Sequence, residues 1–321
     1  MIPAGPHRSK TLKSQTAHVS TRGGGRTATA VSRGRRPLRR KPLLLISNDD
    51  GIGSRGINAL AQSLKEIGEI VVVAPDRQQS AVGHAITVNT PLRASKFYRD
   101  GVFFGYAVTG TPADAVKLAV RSLLKRRPSI LVSGINHGSN TAVSILYSGT
   151  VSAATEGTIL GIPSVAISLA TFKKPDFSFA ARFAGRIVRL VLEHGLPNGV
   201  LLNVNVPPVP EEKIRGVKVT RQGEAVWDDT FDVRRDPNNK EYFWLTGNLI
   251  QADTSNDADE VAVRHRYVSI TPIQFDLTAY TKMEDLRGWI EPAFATRMLD
   301  GRSGLEGGVT HCTERSREKT K

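Results

Sequence analysis

The sequence predicts an α/β protein with a Rossmann-like, doubly wound and mostly parallel sheet. Three observations support this fold class. Apolar runs such as residues 43–46 and 70–74 are continuous instead of alternating, as is typical of strands buried on both faces. Between these two runs the apolar residues recur with helical spacing, which gives a βαβ unit. Similar alternations of strand and helix continue to about residue 207.

The elements of the first half can be assigned in order. LLLIS at 43–47 and IVVVAP at 70–75 are predicted strands, and an extended segment is expected at 85–88. A strand leading into a helix follows within 104–120, and ILVSGIN at 130–136 is the next strand. The helix of the first unit is predicted from four apolar residues on one face: Ile57, Leu60, Leu64 and Ile67.

The second half begins with a predicted helix at 151–161 and a strand, SVAISL, at 164–169. A longer helix precedes the strand LLNVNVP at 201–207, and its apolar residues are Phe179, Phe183, Ile187, Leu190 and Val191. Beyond about residue 210 the pattern changes. Two extended segments around the turn DPNN indicate a hairpin, and a last strand within 267–280 is followed by a helix near 282–289.

This pattern divides the chain into three parts. Residues 1–42 are predicted to be a disordered basic arm, and 296–321 a polar tail. Residues 43–295 form one domain, with a core at about 43–210 and a hairpin-bearing portion at about 211–295. With no run of eighteen apolar residues, no membrane span is predicted. A single cysteine, Cys312, excludes an intramolecular disulfide and favours a reducing, cytoplasmic setting.

The net charge of +14 comes mostly from the arm. Residues 1–42 contain eleven Lys or Arg and no Asp or Glu, so the remainder carries only +3. The body is therefore nearly neutral, and no specific nucleic-acid binding is expected of it. A transit peptide or a misplaced start codon would also explain the composition of the arm.

Polar residues follow several predicted strands, at the edge where α/β sheets bind ligands. Asp49 and Asp50 are adjacent carboxylates whose mutual repulsion a cation would relieve. The hydroxyl of Ser80 and the amide oxygen of Asn136 would complete an oxygen site that suits Mg²⁺, Mn²⁺ or Ca²⁺ better than Zn²⁺. The alternative is an ordinary turn, since Asn-Asp-Asp-Gly is also common turn chemistry.

A phosphate site is predicted where Ser148, Gly149 and Thr150 precede a helix, because free N–H groups at a helix start attract anions. Asn140 is a further candidate for contact with phosphate or with metal-bound water. The alternative for the serine and threonine is simple helix capping. Neither a GxGxxG nor a GxxxxGK[ST] motif is present, so ATP and NAD sites lose support.

Two histidines, His84 and His137, fall in loops after strands and are weak candidates for a general acid. Either of them could equally be an ordinary surface residue. Ser80 is not framed by a Gly-x-Ser-x-Gly elbow and has no evident His/acid pair, so it is interpreted as a ligand and not as a nucleophile.

Five motifs together resemble the stationary-phase survival protein SurE family of 5′/3′-nucleotidases: SNDDGIGSRGINAL, VVVAPDRQQSAVGHAIT, VTGTPADAV, LVSGINHGSN and YSGTVSAATEG. The resemblance extends from about Lys41 to Trp289. It implies a SurE-like fold and one divalent ion, Mg²⁺ or Mn²⁺, held at Asp49, Asp50 and two further positions, Ser80 and Asn136. It also implies a phosphatase that acts on nucleoside 5′- and 3′-monophosphates.

For the reaction we expect an in-line attack by an activated water, without a covalent phosphoenzyme. Asp49 and Asp50 are the predicted catalytic pair in their role as metal ligands. The resemblance further implies a homodimer or homotetramer formed by exchange of C-terminal elements. One departure from the family is the loop GSNTAVSILYSGT at 138–150, which lacks the acidic residue commonly found before Tyr-Ser-Gly-Thr.

Two other functions remain as alternatives. One is a nucleic-acid-binding protein that acts through the basic arm, whose binding would depend strongly on salt. The other is a nucleotide sensor that binds in the same pocket without turnover.

Overall fold

The computed structural model describes residues 40–300, apart from 174, 251 and 252, and the side chains of these residues as far as 294. Most of the predicted arm and the last part of the predicted tail, 301–321, therefore lie outside the described residues. The division of the chain into arm, domain and tail stays a prediction.

A nine-stranded sheet lies at the centre of the described chain. Its middle consists of six parallel strands, which in sheet order are β4 (Val102–Val108), β2 (Glu69–Pro75), β1 (Leu43–Ser47), β5 (Ile130–His137), β6 (Ser164–Leu169) and β7 (Val200–Val206). At one edge β3 (Ala94–Arg99) pairs antiparallel with β4. At the other edge β11 (Tyr267–Gln274) is antiparallel to β7, and β8 (Gly216–Val219) is parallel to β11.

The central strands are buried on both faces, which explains their continuous apolar sequences. All five residues of β1 and all six of β6 are buried. Helices α1 (Arg55–Leu64) and α5 (Ser178–His194) pack on one face, while α2 (Pro112–Leu118) and α4 (Gly149–Ile159) cover the other. This confirms the doubly wound, mostly parallel α/β fold.

Local sequence accounts for where several helices begin and end. Ser54 caps α1 by accepting a hydrogen bond from the backbone of Ile57. Thr111 and Asp114 form a reciprocal capping box at the start of α2, with Pro112 as its first residue. The remaining helices are α3 (Ser144–Tyr147), α6 (Asp259–Arg264) and α7 (Tyr280–Asp300), with short helical turns at Ala119–Leu123 and Glu211–Lys213.

The predicted hairpin is confirmed as a separate two-stranded sheet. Strands β9 (Val226–Arg235) and β10 (Glu241–Ile250) pair antiparallel around the predicted turn. Most of the hairpin is exposed, including large apolar side chains: Phe231, Val233, Phe243, Trp244 and Leu245. Helix α7 is likewise exposed at apolar positions such as Trp289 and Phe294. Among the residues that the structure describes, nothing in one chain covers these apolar surfaces.

Four sequence expectations need correction. Residues 85–88 form no strand, because the backbone N–H and the hydroxyl of Thr87 bond to the Asp114 carboxylate instead of to a neighbouring strand. Ile67 lies beyond the end of α1, in the following turn, although it still packs on the core. Leu190 on α5 is half exposed. The last helix continues to Asp300, into the stretch assigned to the tail.

Two edge strands, β3 and β8, and the short helix α6 were not predicted from the sequence. These elements are short: β3 and α6 have six residues each, and β8 has four. In the part of the chain that the structure describes, no helix combines the length and apolar character needed to span a membrane.

Candidate metal and phosphate site

The turn after β1 places Asp49 and Asp50 at the carboxyl end of the sheet. The side-chain amide of Asn48 donates to the carbonyl of Gly51 at 3.0 Å and to the hydroxyl of Ser54 at 2.9 Å, which fixes the turn. Gly51 has φ +88°, a conformation that L side chains rarely adopt. The sequence Asn-Asp-Asp-Gly therefore forms a tight turn, and this turn also places the acidic pair at the end of the sheet.

A cavity of about 300 Å³ opens beside this turn. It collects residues from the four strand-end segments selected by sequence. Among the predicted site residues, it is lined by Asp49, Asp50, Ser80, Asn136, His137, Asn140 and Ser148. Gly149, Thr150 and His84 do not line it. In the described chain, no Lys or Arg side chain faces this cavity.

Asp49 is almost completely buried. One of its neighbours, Thr150, favours the ionised carboxylate, and another, Asp50, opposes it. Burial raises its pKa to about 6; the hydroxyl of Thr150 opposes this by donating a hydrogen bond, while the nearby charge of Asp50 adds to it. Gly149 touches the same side chain, since a Cβ at this glycine would lie 2.7 Å from the Cβ of Asp49. The start of α4 thus packs directly on Asp49.

Asp50 is less buried and faces the cavity from the same turn. Burial raises its pKa, and the backbone N–H of His137, which donates to its carboxylate at 3.3 Å, partly offsets the increase. Two adjacent carboxylates with raised pKa values therefore border one cavity that no Lys or Arg of the described residues lines. A cation would remove the electrostatic cost of ionising both.

Neutral oxygen atoms complete the candidate site. The backbone N–H of Gln79 donates to the carbonyl of Asp49 at 2.7 Å, which brings Ser80 beside the acidic pair. Asn136 uses its amide nitrogen to donate to the carbonyl of Gly138 at 2.8 Å, so its side-chain oxygen is left for another partner. Two carboxylates, a hydroxyl and an amide oxygen are donors that suit Mg²⁺ or Mn²⁺.

The described residues contain no group of three or more His, Cys, Asp and Glu side chains that could hold a metal ion. Any cation in this cavity would therefore depend on the two carboxylates and on the neutral oxygens around them. The absence of sulfur donors also disfavours a structural zinc site here. The residues fit one hard divalent cation.

Two asparagines of β7 hold the loop between β5 and α4 by hydrogen bonds. Asn140 donates through its backbone to the side chain of Asn205 at 2.8 Å, and its carbonyl accepts from Asn203 and Asn205. Its side-chain amide donates to Ser168 at 2.9 Å. Asn140 is thus 7% exposed, and its side-chain nitrogen is engaged in supporting the loop.

A buried carboxylate supports the next turn of the same loop. Asp259, at the start of α6, accepts hydrogen bonds from the backbone N–H groups of Ala142, Gly223 and Glu260 at 2.9–3.2 Å. Asp259 is fully buried. One side chain therefore ties the loop to two C-terminal segments.

The helix-start residues have roles other than open phosphate contact. Ser148 caps α4 by accepting from the backbone of Val151 at 3.1 Å, although it also borders the cavity. Thr150 is fully buried, and its hydroxyl is used by Asp49. Of the three predicted residues, Ser148 alone borders the cavity.

The two histidines differ in position. His137 borders the cavity, and its Nε2 donates to the carbonyl of Lys173 at 2.8 Å. His84 instead contacts the buried carboxylate of Glu156 at 3.0 Å, which also pairs with Lys117 at 2.7 Å. Burial raises the pKa of Glu156, but the bonds from His84 and Lys117 outweigh this and lower it overall. His84 therefore anchors the loop of Ser80 to α4.

A larger cavity of about 600 Å³ lies near the ends of β6 and β7. It contains none of the predicted site residues, and its charged side chains include Arg182, which pairs with Glu211. The smaller cavity, which contains the acidic pair, is therefore the better candidate for phosphate chemistry. The sequence did not predict seven of its lining residues, all of which except Phe172 lie in quoted segments: Gln78, Ala81, Gly138, Ser139, Ser144, Tyr147 and Phe172.

Comparison with known proteins identifies the family of this chain. Residues 44–229 match the family model described as survival protein SurE. The 5′-nucleotidase SurE of Chlorobium phaeobacteroides is 50% identical over 250 residues, covering 78% of this chain and 97% of that protein. The 5′-nucleotidase SurE of Syntrophobacter fumaroxidans is 48% identical over 246 residues, covering 77% and 98%.

A solved structure extends the similarity to the fold. The crystal structure of the SurE protein from Aquifex aeolicus has a TM-score of 0.68 and 42% sequence identity, and the match covers 77% of this chain and 98% of that one. The family model covers more than half of the chain, and the relatives and the solved structure agree with it, so the chain belongs to the SurE survival protein family.

Proposed function

We propose that this chain is a metal-dependent 5′-nucleotidase that hydrolyses nucleoside 5′-monophosphates, and also 3′-monophosphates, to nucleoside and phosphate. The observation that carries the proposal is the Asp49–Asp50 pair, whose raised pKa values and oxygen-rich cavity suit a divalent cation. SurE relatives with close to half of their residues identical bear the name 5′-nucleotidase. The single cysteine supports a reducing, cytoplasmic setting.

In this proposal Asp49, Asp50, Ser80 and Asn136 hold one Mg²⁺ or Mn²⁺. When bound, the cation supplies Lewis-acid polarisation of the phosphoryl oxygens and neutralises charge that develops on them. Thr150 keeps the Asp49 carboxylate oriented by donating to it, and the backbone N–H of His137 does the same for Asp50. Ser148 borders the cavity at the N-terminus of α4, and the free backbone N–H groups of this helix start would attract the phosphate.

The remaining protein groups orient water and substrate. Either carboxylate can accept a hydrogen bond from the attacking water, which then approaches phosphorus in line with the leaving nucleoside oxygen. Of the two histidine candidates, His137 borders the cavity, which supports it as the acid that protonates the leaving oxygen; since its Nε2 donates to Lys173, this role would fall to Nδ1. His84, engaged with Glu156, serves as an anchor.

The direct test is phosphate release from 5′- and 3′-mononucleotides with Mg²⁺ or Mn²⁺, and with excess EDTA. We expect turnover with metal and a loss of activity in EDTA that added metal reverses. Undiminished turnover in EDTA would refute the metal-dependent mechanism. Tight nucleotide binding without phosphate release would indicate the sensor alternative, and activity lost on deleting residues 1–42 would favour the arm.

Replacing Gly149 with alanine should damage the cation site through Asp49. The new Cβ would lie 2.7 Å from the aspartate Cβ and 3.0 Å from its Oδ2, so one of the two must move. Alanine has a higher helix propensity than glycine, so any loss of metal affinity would come from the contact with Asp49 and not from a weaker helix. We expect Mn²⁺ affinity, measured by calorimetry, to fall about tenfold.

Gly185→Ala is the matched control, because Gly185 lies within α5 and a Cβ there would meet its nearest atom at 3.8 Å. This variant should bind Mn²⁺ as the wild type does and be slightly more stable. Equal Mn²⁺ affinity in both variants would show that Gly149 does not position Asp49.

We further propose that two or four copies assemble through the hairpin and α7. Both elements expose large apolar side chains that one chain leaves uncovered, which is unusual for a stable monomer. Light scattering after size-exclusion chromatography should give a dimer or tetramer mass. Replacing Phe243 and Leu245 with serine should shift the mass toward the monomer, whereas an unchanged mass would exclude β10 from the interface.

A further inference from the structure

Two aromatic rings border the cavity that contains the acidic pair. Tyr147 at the end of α3 is 58% exposed, and Phe172 in the loop after β6 is 81% exposed. Single exposed apolar residues are common on protein surfaces. These two differ because both line the same polar cavity as Asp49 and Asp50.

The position of Phe172 depends on a glycine. Gly138 has φ +119°, and a Cβ there would lie 2.5 Å from the Phe172 ring. The ring therefore lies directly against the backbone of the loop that carries Asn136 and His137. Its centroid is 6.3 Å from that of the His137 imidazole, with an angle of 40° between the planes. Supported in this way, the ring leaves most of its surface to solvent at the cavity rim.

The backbone of Tyr147 is fixed by contacts on both sides. Its carbonyl accepts a hydrogen bond from the backbone N–H of Gly83 at 3.2 Å, and Ser148, the next residue, caps α4. The backbone beneath this ring is thus fixed between the loop of Ser80 and the helix that touches Asp49. Both rings are attached to segments that also define the candidate metal site.

The chemistry of the cavity suggests what the rings bind. No Lys or Arg is among the described residues that line the cavity, so no such cationic side chain is available there to pack on the base of a nucleotide. Aromatic surfaces bind nucleobases by stacking, which tolerates any base because every base has a π-face. Its volume of about 300 Å³ matches a ligand of mononucleotide size.

We propose that Phe172, together with Tyr147, forms the base-binding subsite and favours purine over pyrimidine nucleotides, because a purine offers the larger stacking surface. This inference rests on the nucleotidase function proposed above and adds the part of the substrate that is recognised away from the phosphate. Phe172 here determines specificity and takes no part in proton transfer.

The test compares 5′-AMP, 5′-UMP and ribose 5-phosphate, which has no base, as substrates of the Mn²⁺-loaded protein. For Phe172→Ala we expect kcat/KM for 5′-AMP to fall about tenfold, chiefly through KM, as loss of one base–aromatic stack predicts. The loss for 5′-UMP should be smaller, and the value for ribose 5-phosphate should stay within about twofold of the wild type. Phe172→Trp should restore activity toward 5′-AMP.

Phe103→Ala is the matched control, because Phe103 is also an exposed phenylalanine but lies on β4 and does not line the cavity. It should leave all three substrates unaffected. Equal losses on 5′-AMP and ribose 5-phosphate would assign Phe172 a structural or interface role, and no loss on 5′-AMP would also overturn the subsite. If the wild type hydrolysed none of the three, the nucleotidase function itself would fail.

Discussion

Asp50→Asn should lower phosphate release by about 100-fold or more and abolish the thermal stabilisation that Mn²⁺ gives the wild type. The change removes one of two carboxylates from a candidate site whose other donors are neutral oxygens. The measurements are phosphate release from 5′-AMP and thermal unfolding, each in EDTA and in Mn²⁺. A variant with full activity would exclude Asp50 as a metal ligand.

The same variant should lose no stability in EDTA at pH 7.5. Because burial raises the folded-state pKa of Asp49 from 3.8 to about 6, the metal-free fold binds this proton more tightly than the unfolded chain does. Ionisation of the acidic pair therefore lowers stability as pH rises from about 4 through about 6. Asp50→Asn removes one of the two carboxylates and the charge that helps to raise the pKa of the other. Mn²⁺ should stabilise the wild type more at pH 7.5 than at pH 5, where protons compete for the carboxylates.

Asp100→Asn makes the same chemical change in an exposed turn between β3 and β4, where φ is +50° and asparagine is well tolerated. This control should retain both activity and stabilisation by Mn²⁺. If it lost them as Asp50→Asn does, the effect would reflect general damage from removing a carboxylate.

Asp259→Ala should lower the free energy of unfolding by about 3 kcal/mol or more. The carboxylate accepts from three backbone N–H groups in a fully buried position, and each donor left without a partner costs about 1–3 kcal/mol. The measurement is urea unfolding at one fixed protein concentration. Activity should fall as well, since Ala142 belongs to the loop that leads to Ser148.

Asp257→Ala is the control two residues earlier. Its side chain is 64% exposed and contacts Arg221 at 3.3 Å, so its loss should cost less than about 1 kcal/mol. If Asp257→Ala and Asp259→Ala had equal unfolding free energies, the hydrogen bonds to Asp259 would not stabilise the loop.

The sequence was most informative where local pattern and topology act together. Continuous apolar runs predict the central strands. The rule that ligands bind at strand ends predicts that Asp49, Asp50, Ser80 and Asn136 lie together, and all four line one cavity. The short edge strands were missed because four to six mostly exposed residues carry little periodic signal.

The remaining differences come from side-chain contacts between distant residues. The sequence predicts Thr150 as a phosphate contact, whereas its hydroxyl donates to Asp49, 101 positions away. The sequence offers His84 as a weak candidate for a general acid, whereas its ring contacts Glu156, 72 positions away. No local pattern encodes such pairs, because each depends on how two elements pack. Phe172 was missed for the same reason, since a lone phenylalanine in a loop gives no sequence signal.

The support of the 138–148 loop by later residues bears on how the protein is made at the ribosome. All four predicted metal ligands have been synthesised once Asn136 is added, yet the loop's supports Asn203, Asn205 and Asp259 are added later. A nascent chain that ends before Asn203 therefore contains these side chains without the contacts that support the neighbouring loop. We expect the part of the cavity wall that this loop forms to become ordered only after the C-terminal portion has left the exit tunnel.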